Sequence, residues 1–397
     1  MRFPGFEGEW EVKTLGKIMD FKVTNSFSRE NLNYEYGKVK NIHYGDIHTK
    51  FQTLFDINYE SVPFINEEID ISRISEENYC KNGDVIFADA SEDLNDVGKS
   101  IEIININEER LLSGLHTLLA RPKKDIFHLG FSGYLFKSNS VRTQIQKESQ
   151  GSKVLSISVG RISKIELSFP SVEEQKKISS FLALLDERIQ TQSKIINDLK
   201  TLKIATAKKI FSGELRFKDD NGNDFSEWEE DCLENVCDIK KGEQFNKEDL
   251  NEIGLYPCLN GGISPSGFSE KYNTDENTIT ISEGGNSCGF VNFMKTKFWL
   301  GGHCYKILLF KKISLMYFYQ LLKFNEQNVM NLRVGSGLPN IQMKSLKRFT
   351  IKISTSESEH NKIANFLSAI DSKIDIESQL LQKLEEQKKF LLQNMFV

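Results

Sequence analysis

The feature that most constrains this chain is an internal repeat. Residues 174–189 and 359–374 share Glu174/Glu359, Lys177/Lys362, Ile178/Ile363, Phe181/Phe366, Leu182/Leu367, Asp186/Asp371 and Ile189/Ile374 at a constant separation of 185 positions. Upstream, at a separation of 184, Gly151-Ser152 returns as Gly335-Ser336 and Ile157 as Ile341. A second anchor, Glu9-Trp10-Glu11 followed by Leu15 and Ile18, returns 218 positions later as Glu227-Trp228-Glu229 followed by Leu233 and Val236. Trp10 lies 171 positions before Phe181, whereas Trp228 lies 138 before Phe366. Two modules therefore share their ends and differ by 33 residues inside, as one frame carrying two different heads would.

The shared C-terminal parts read as helices. Over 172–212, apolar residues recur at Ile178, Leu182, Leu185, Ile189, Ile196, Leu199 and Ile210, broken by Gln192, Lys203 and Thr206 and bounded by Pro170 and Gly213. Over 357–395 the stripe runs through Ile363, Leu367, Ile370, Ile374, Leu381, Leu384, Leu391 and Met395. Steps of three and four make a coiled-coil seam, which needs a partner helix. At 1.5 Å per residue each helix would be about 60 Å long. The spacing predicts that the two helices pack together, antiparallel, and hold two heads apart; the alternative is two separate helices, each lying on its own domain.

The heads read as β-rich. Short apolar runs such as 38–44, 84–88, 278–282 and 289–293 alternate with Gly, Asn and Asp turns. With 397 residues, 39% hydrophobic and 27% charged, the chain is globular and long enough for two or three cores. No apolar run approaches a membrane span, and the N-terminus lacks a signal-peptide core, so a cytoplasmic location is expected. Cys80, Cys232, Cys237, Cys258, Cys288 and Cys304 are scattered without a C-x-x-C pair and read as reduced structural thiols.

Charge is uneven. The net charge of −5 divides into −5 for 1–155 (19 basic, 24 acidic), +4 for 156–217 (11 and 7), −6 for 218–340 (12 and 18) and +2 for 341–397 (9 and 7). Binding depends on the local face, so this balance neither requires nor excludes a nucleic acid.

Catalytic signatures are weak. Gly98-Lys99-Ser100 has Asp93 where a phosphate loop needs glycine, and the Gly284-Gly285 and Gly301-Gly302 pairs make no dinucleotide fingerprint. On a strand, the adjacent His303 and Cys304 would face opposite ways and form no dyad. His43 and His48, five apart, share no regular face. The pairs Glu67-Glu68 and Glu229-Glu230 read as solvated.

Two β-rich variable heads, each followed by a long helix, resemble the DNA-specificity subunit of type I restriction–modification enzymes over essentially the whole chain. The junction from Ile165 through Phe169-Pro170-Ser171-Val172-Glu173-Glu174-Gln175 to Ile178 is similar to the family's proline–glutamate–glutamine–isoleucine lead into its conserved helix, followed by Phe181-Leu182 and Asp186-Ile189. The second copy has Thr355 for the proline and His360 for the glutamine, while Gly335-Ser336-Gly337-Leu338-Pro339-Asn340-Ile341 resembles the family's approach to that helix.

The resemblance implies an α+β tandem repeat with pseudo-two-fold symmetry. Target-recognition domains at 1–155 and 216–340 would alternate with long-helix regions at 156–215 and 341–397, the helices forming an antiparallel coiled coil. It implies a non-catalytic subunit in which each head reads one half of a bipartite, asymmetric site on double-stranded DNA. The paired helices would set the spacing and dock two methylation subunits, with motor-nuclease subunits joining for restriction. No cofactor is expected in this chain; S-adenosylmethionine, Mg2+ and ATP would belong to the partners, and the chain lacks an N-P-P-aromatic motif.

Base reading takes polar side chains at groove edges, and phosphate contacts position the protein. In the first head Lys38, Lys40, Asn41, His43, Tyr44 and Lys50, with His48 among them, form a candidate DNA face; the same run also reads as an ordinary alternating strand. In the second head the candidates are Lys295, Lys297, Arg333 and Ser336, with Ser282, Asn286 and Asn292 as loop positions. Stiff helices would place half-site centres about one DNA turn, roughly 34 Å, apart. The competing reading is a coiled-coil scaffold whose two β-rich modules bind proteins and no DNA.

Overall fold

The computed structural model describes residues 2–123, 126–246, 248, 250–310, 312–335 and 337–396. The chain divides into two compact units, one of Met1–Ser193 with Leu380–Val397 and one of Lys194–Gln379. Both long helices form as the repeat predicts, the first over Val172–Phe211 and the second over Glu357–Asn394. Each starts on a serine. The N–H groups of Glu174 and Glu359 lie 3.4 Å from the hydroxyls of Ser171 and Ser356, and acidic residues fill both first turns, where the helix dipole favours them. The first ends at Gly213, whose φ of +82° only glycine adopts without strain.

In the first unit a five-stranded sheet runs in the order Met19–Lys22, Thr117–Pro122, Val85–Ala88, Ser100–Asn105, Leu54–Asp56, antiparallel except for its last pair. Strand alternation divides its central strand between two cores. Val85 and Phe87 join the cluster around Phe131, Leu135 and Phe136, while Ile86 and Ala88 join Ile42, Phe55, Ile101 and Leu119. The first cluster also takes in Ile178 and Leu182 from the first long helix, and Leu391, Met395 and Phe396 from the end of the second. Each such buried side chain contributes about 1.5–3 kcal/mol. Tyr134 and Lys388 both bond Asp186, so the start of one helix meets the end of the other.

The second unit has a four-stranded antiparallel sheet in the order Cys237–Lys241, Cys304–Leu309, Thr278–Ser282, Val291–Met294. A three-stranded sheet of Gly267–Ser269, Tyr256–Leu259 and Trp299–Leu300 accompanies it. Ile279 and Ile281 pack with Phe318 and Leu321 of the helix Leu315–Phe324. The same core holds Ile210 and Phe211 from the end of the first long helix and Ile363, Ala364 and Leu367 from the start of the second. Lys203 pairs with Asp371 at 2.7 Å. Within each unit, later residues of one helix meet earlier residues of the other, so the pairing is antiparallel and neither helix lies alone on its own domain.

The stripe faces inward. Ile178, Leu182, Ile196, Ile363 and Leu367 are buried, and Leu185, Ile189, Leu199, Ile370, Ile374, Leu381 and Leu384 are half-buried. Two of the supposed breaks also lie on this inward face. Gln192 is buried, and Lys203 reaches Asp371 and is only 19% exposed. Polar positions in such a seam fix register at some cost in stability.

Repeated ends do repeated work. The strand Glu11–Thr14 pairs antiparallel with Glu166–Phe169, and Glu229–Cys232 with Thr350–Ile353. A helical turn follows each, burying Leu15 and Ile18 in one unit and Leu233 and Val236 in the other. Buried Glu174 takes the guanidinium of Arg2 on both oxygens, at 2.8 and 2.7 Å. Buried Glu359 takes Arg216, the Trp228 indole N–H at 2.9 Å and the Ser354 hydroxyl at 2.6 Å. Phe3 stands edge-on to Phe181, and Phe217 to Phe366. The Arg-Phe dipeptide is thus a third repeated anchor. The departure at His360 is compensated: its Nε2 lies 2.8 Å from the Ser354 carbonyl, much as Gln175 donates to the Pro170 carbonyl at 2.9 Å.

Candidate nucleic-acid interface

The candidate face in the first head is not one alternating strand. Only Lys40–Ile42 is strand; the chain then turns at His43 into a helix over Tyr44–Thr49. His43 is buried and caps that helix, its Nδ1 accepting the Gly45 N–H at 3.2 Å. Burial and the nearby Arg29 charge lower its pKa, which keeps the ring neutral and Nδ1 an acceptor. Asn41 is fully buried, and its carbonyl accepts the Asn25 amide at 2.6 Å. As base readers both are corrected: they are committed to the interior.

The remaining candidates there are at the surface but engaged. Lys40 pairs with Glu109 at 2.6 Å and lies over the Phe64 ring. Lys50 pairs with buried Asp46 at 3.0 Å and reaches the Tyr34 hydroxyl. Half-buried Tyr44 sits tilted against His43 and edge-on to His48 and His116. Lys38 is exposed on a cleft of about 620 Å³ whose rim also carries Glu67, Glu68 and Asp70. Three carboxylates against one lysine disfavour a phosphate there.

In the second head, Ser282 is a buried residue of the strand Thr278–Ser282 rather than a loop position, a correction that removes it as a base reader. Asn292 also lies on a strand, Val291–Met294, half-buried, with its amide 3.5 Å from the Met294 sulfur. Lys295 is exposed and meets Asp375 at 3.3 Å. Lys297 sits 4.5 Å above the Tyr272 ring and donates to its hydroxyl. Arg333 is exposed, and Ser336 lies outside the described residues.

Asn286 joins a concave site. It lines a cleft of about 540 Å³ with Lys241, Asn260, His303, Pro339 and Asn340. Lys241 and Tyr305 both bond Glu283, and the Gly261 N–H points at the Cys304 sulfur, 3.0 Å away. Sequence reasoning missed Lys241, Asn260 and His303 as neighbours of Asn286; the only signal was the glycine-rich texture of the loops that carry them.

Nucleophilic chemistry finds no support here. Cys304 is buried and pushed up to about 11 by desolvation, and Cys237 to about 12, so both remain thiols near neutrality. His303 lies in the turn just before the strand Cys304–Leu309 and is exposed, while Cys304 is buried. Among the described residues no three His, Cys, Asp or Glu side chains gather where a metal ion could sit, and no helix is long and apolar enough to cross a membrane.

The family model for the type I restriction modification DNA specificity domain matches the chain twice, over residues 7–201 and 225–386. A Mycoplasma genitalium protein that carries the name type I specificity subunit is 32% identical over 157 residues, 39% of this chain and 41% of that protein. A Mycoplasma pneumoniae counterpart is 33% identical over 162 residues, 40% and 43% of the two chains. The alignments thus cover about two-fifths of the length of these two relatives. A Methanocaldococcus jannaschii protein named as a type I restriction enzyme specificity subunit is 25% identical over 409 residues, covering 97% of this chain and 92% of that one.

Two solved structures share the fold. The type I restriction–modification S subunit of M. genitalium superposes with a TM-score of 0.64 at 18% identity, covering 100% of this chain and 99% of that one. A chain from a type I system solved for its complex assembly and conformational transition gives 0.58 at 14% identity, with 97% of each chain covered. With its two matched segments spanning most of its length, the chain belongs to the type I restriction–modification DNA specificity family.

Proposed function

We propose that this chain is the DNA-reading subunit of a type I restriction–modification assembly. Each β-rich head inspects one half of a bipartite, asymmetric site on double-stranded DNA. The observation that carries this reading is one family model matched twice on two unlike heads: 7–201 and 225–386 share their frame and differ inside. Unlike heads read unlike half-sites. The antiparallel helices set the gap between them and dock two methylation subunits, and motor-nuclease subunits join where the assembly restricts. A methylation-only assembly uses the same surfaces.

The chain itself is a recognition subunit without chemistry of its own. S-adenosylmethionine, ATP and Mg2+ act in the partners, and the assembly works in the cytoplasm. Arg333, Asn286, Lys295 and Lys297 are the surface positions of the second head closest to this role, and Lys38, Lys40, Tyr44 and Lys50 those of the first.

Titrating duplex binding of the isolated assembly against salt separates this reading from a protein-binding scaffold. Phosphate contacts release counterions, so affinity should fall steeply as salt rises from 50 to 200 mM. An assembly that binds no duplex at low salt would overturn the proposal.

A further inference from the structure

We infer that a cationic cleft in the first unit, between the helix Asn139–Glu148 and the last turns of the second long helix, binds a phosphate group. The inference rests on the DNA-reading function proposed above and names one place where the backbone would be held. The cleft encloses about 370 Å³ and is lined by Lys137, Arg142, Lys388 and Lys389 together with the amides of Asn95, Asn139, Gln146 and Gln393. Glu385 is the one acid on its lining. In a chain of net charge −5 this is an unusual concentration of positive charge, opposite in sign to the cleft beside Lys38.

Local structure explains only part of it. Lys388 and Lys389 lie in the last two turns of a helix, where the dipole favours cations, and Lys388 also meets Asp186 at 2.5 Å. Lys137 and Arg142 have no such reason to be there. Lys137 donates to the neutral Thr53 hydroxyl at 2.7 Å, and Arg142 to the carbonyls of Asn95 and Val97 at 2.9 and 2.7 Å. Neither forms an ion pair among the described residues. Burial, and the charges of Lys388, Lys99 and Arg142 against the relief from Asp186, push the Lys137 ammonium down to about 7.

A dianionic or monoanionic phosphate between these cations would relieve that repulsion. It would lie along the side of the ten-residue helix that carries Arg142, between Asn139 and Gln146. Amide side chains around the rim supply donors to the remaining phosphate oxygens. The source of the phosphate is either the backbone of a bound duplex or a free phosphate compound.

The two sources separate in one experiment on the full chain in its assembly. Lys389→Gln removes an exposed charge from the cleft, and Lys383→Gln removes one from the same helix outside it. For a backbone phosphate, the slope of log affinity against log salt becomes shallower by about 0.9 in K389Q and is unchanged in K383Q, while the methylated sequence stays the same. For a free compound, inorganic pyrophosphate raises the melting temperature of the wild type and not of K389Q, with no change in slope. If K389Q matches wild type in both measurements, the inference is wrong. A wild-type assembly that binds no duplex instead defeats the functional reading, and the pyrophosphate arm still decides whether the cleft holds phosphate.

Discussion

Asp186 holds Lys388 and Tyr134 at once, its two carboxylate oxygens lying 2.5 Å from the ammonium and 2.9 Å from the phenol. One residue thereby fastens the head, the start of one long helix and the end of the other within the first unit. Its repeat partner Asp371 does the same in the second unit, bonding Lys203 at 2.7 Å and the Gln320 amide at 2.7 Å. Asp186→Asn keeps an oxygen for Tyr134 but leaves Lys388, only 22% exposed, without its counter-charge. The expected loss is about 1–2 kcal/mol, read by urea unfolding, and Lys388→Gln in the same background should then cost almost nothing further. Additive losses would mean that the pair is not coupled.

Glu359 is the more sensitive of the two buried glutamates. It is fully buried and accepts from Arg216, Trp228 and Ser354. Glu359→Gln turns one acceptor into a donor facing donors and leaves Arg216 only the exposed Glu227, 3.4 Å away, as a counter-charge. Unfolding should show a loss of about 3–5 kcal/mol. Among the described residues the Glu174 carboxylate bonds only the Arg2 side chain, so Glu174→Gln should cost less, about 1–3 kcal/mol. Equal costs would argue against the indole and hydroxyl bonds as the difference.

Lys137 gives the first unit a pH signature. Its folded pKa, about 7, lies below the unfolded 10.5, so between these values the unfolded chain binds more protons. Stability from this group therefore rises with pH, by up to about 1.4 kcal/mol per unit from pH 7 to 9. Lys137→Met should remove that slope, with unfolding free energy measured at pH 7, 8 and 9 in both proteins. A parallel rise in the variant would assign the slope to other groups.

The helices carry the spacing prediction. Inserting four residues near Asn197 of the first long helix should change the preferred gap between half-sites and leave both half-site sequences as they were. Sequencing of methylated sites in cells carrying the insertion reads this directly. Altered bases with an unchanged gap would refute the helices as the spacer.

Much of the frame was legible because the repeated residues are structural in both copies. Phe181/Phe366, Leu182/Leu367 and Asp186/Asp371 recur since each helix start meets the same kind of neighbours. The Arg2-Phe3 and Arg216-Phe217 anchor escaped notice because the dipeptide is short and stands eight residues before Trp10 but twelve before Trp228. Lys203 looked like a break in the stripe because its counter-charge, Asp371, is distant in sequence. The site was less legible. Asn41, His43 and Ser282 are polar residues in short, β-rich context, and sequence alone does not tell a groove-facing polar residue from one spent on an internal cap or amide pair. The cationic cleft was invisible for a related reason: Lys137 and Lys389 come together only through the return of the second helix.

The most direct measurement is a map of methylated adenines in host DNA with and without this gene. A chain of two unlike heads on one frame predicts that deletion abolishes methylation at a single motif made of two dissimilar half-sites with a fixed gap. Retention of every methylated motif, or loss of one continuous or palindromic motif, would contradict it.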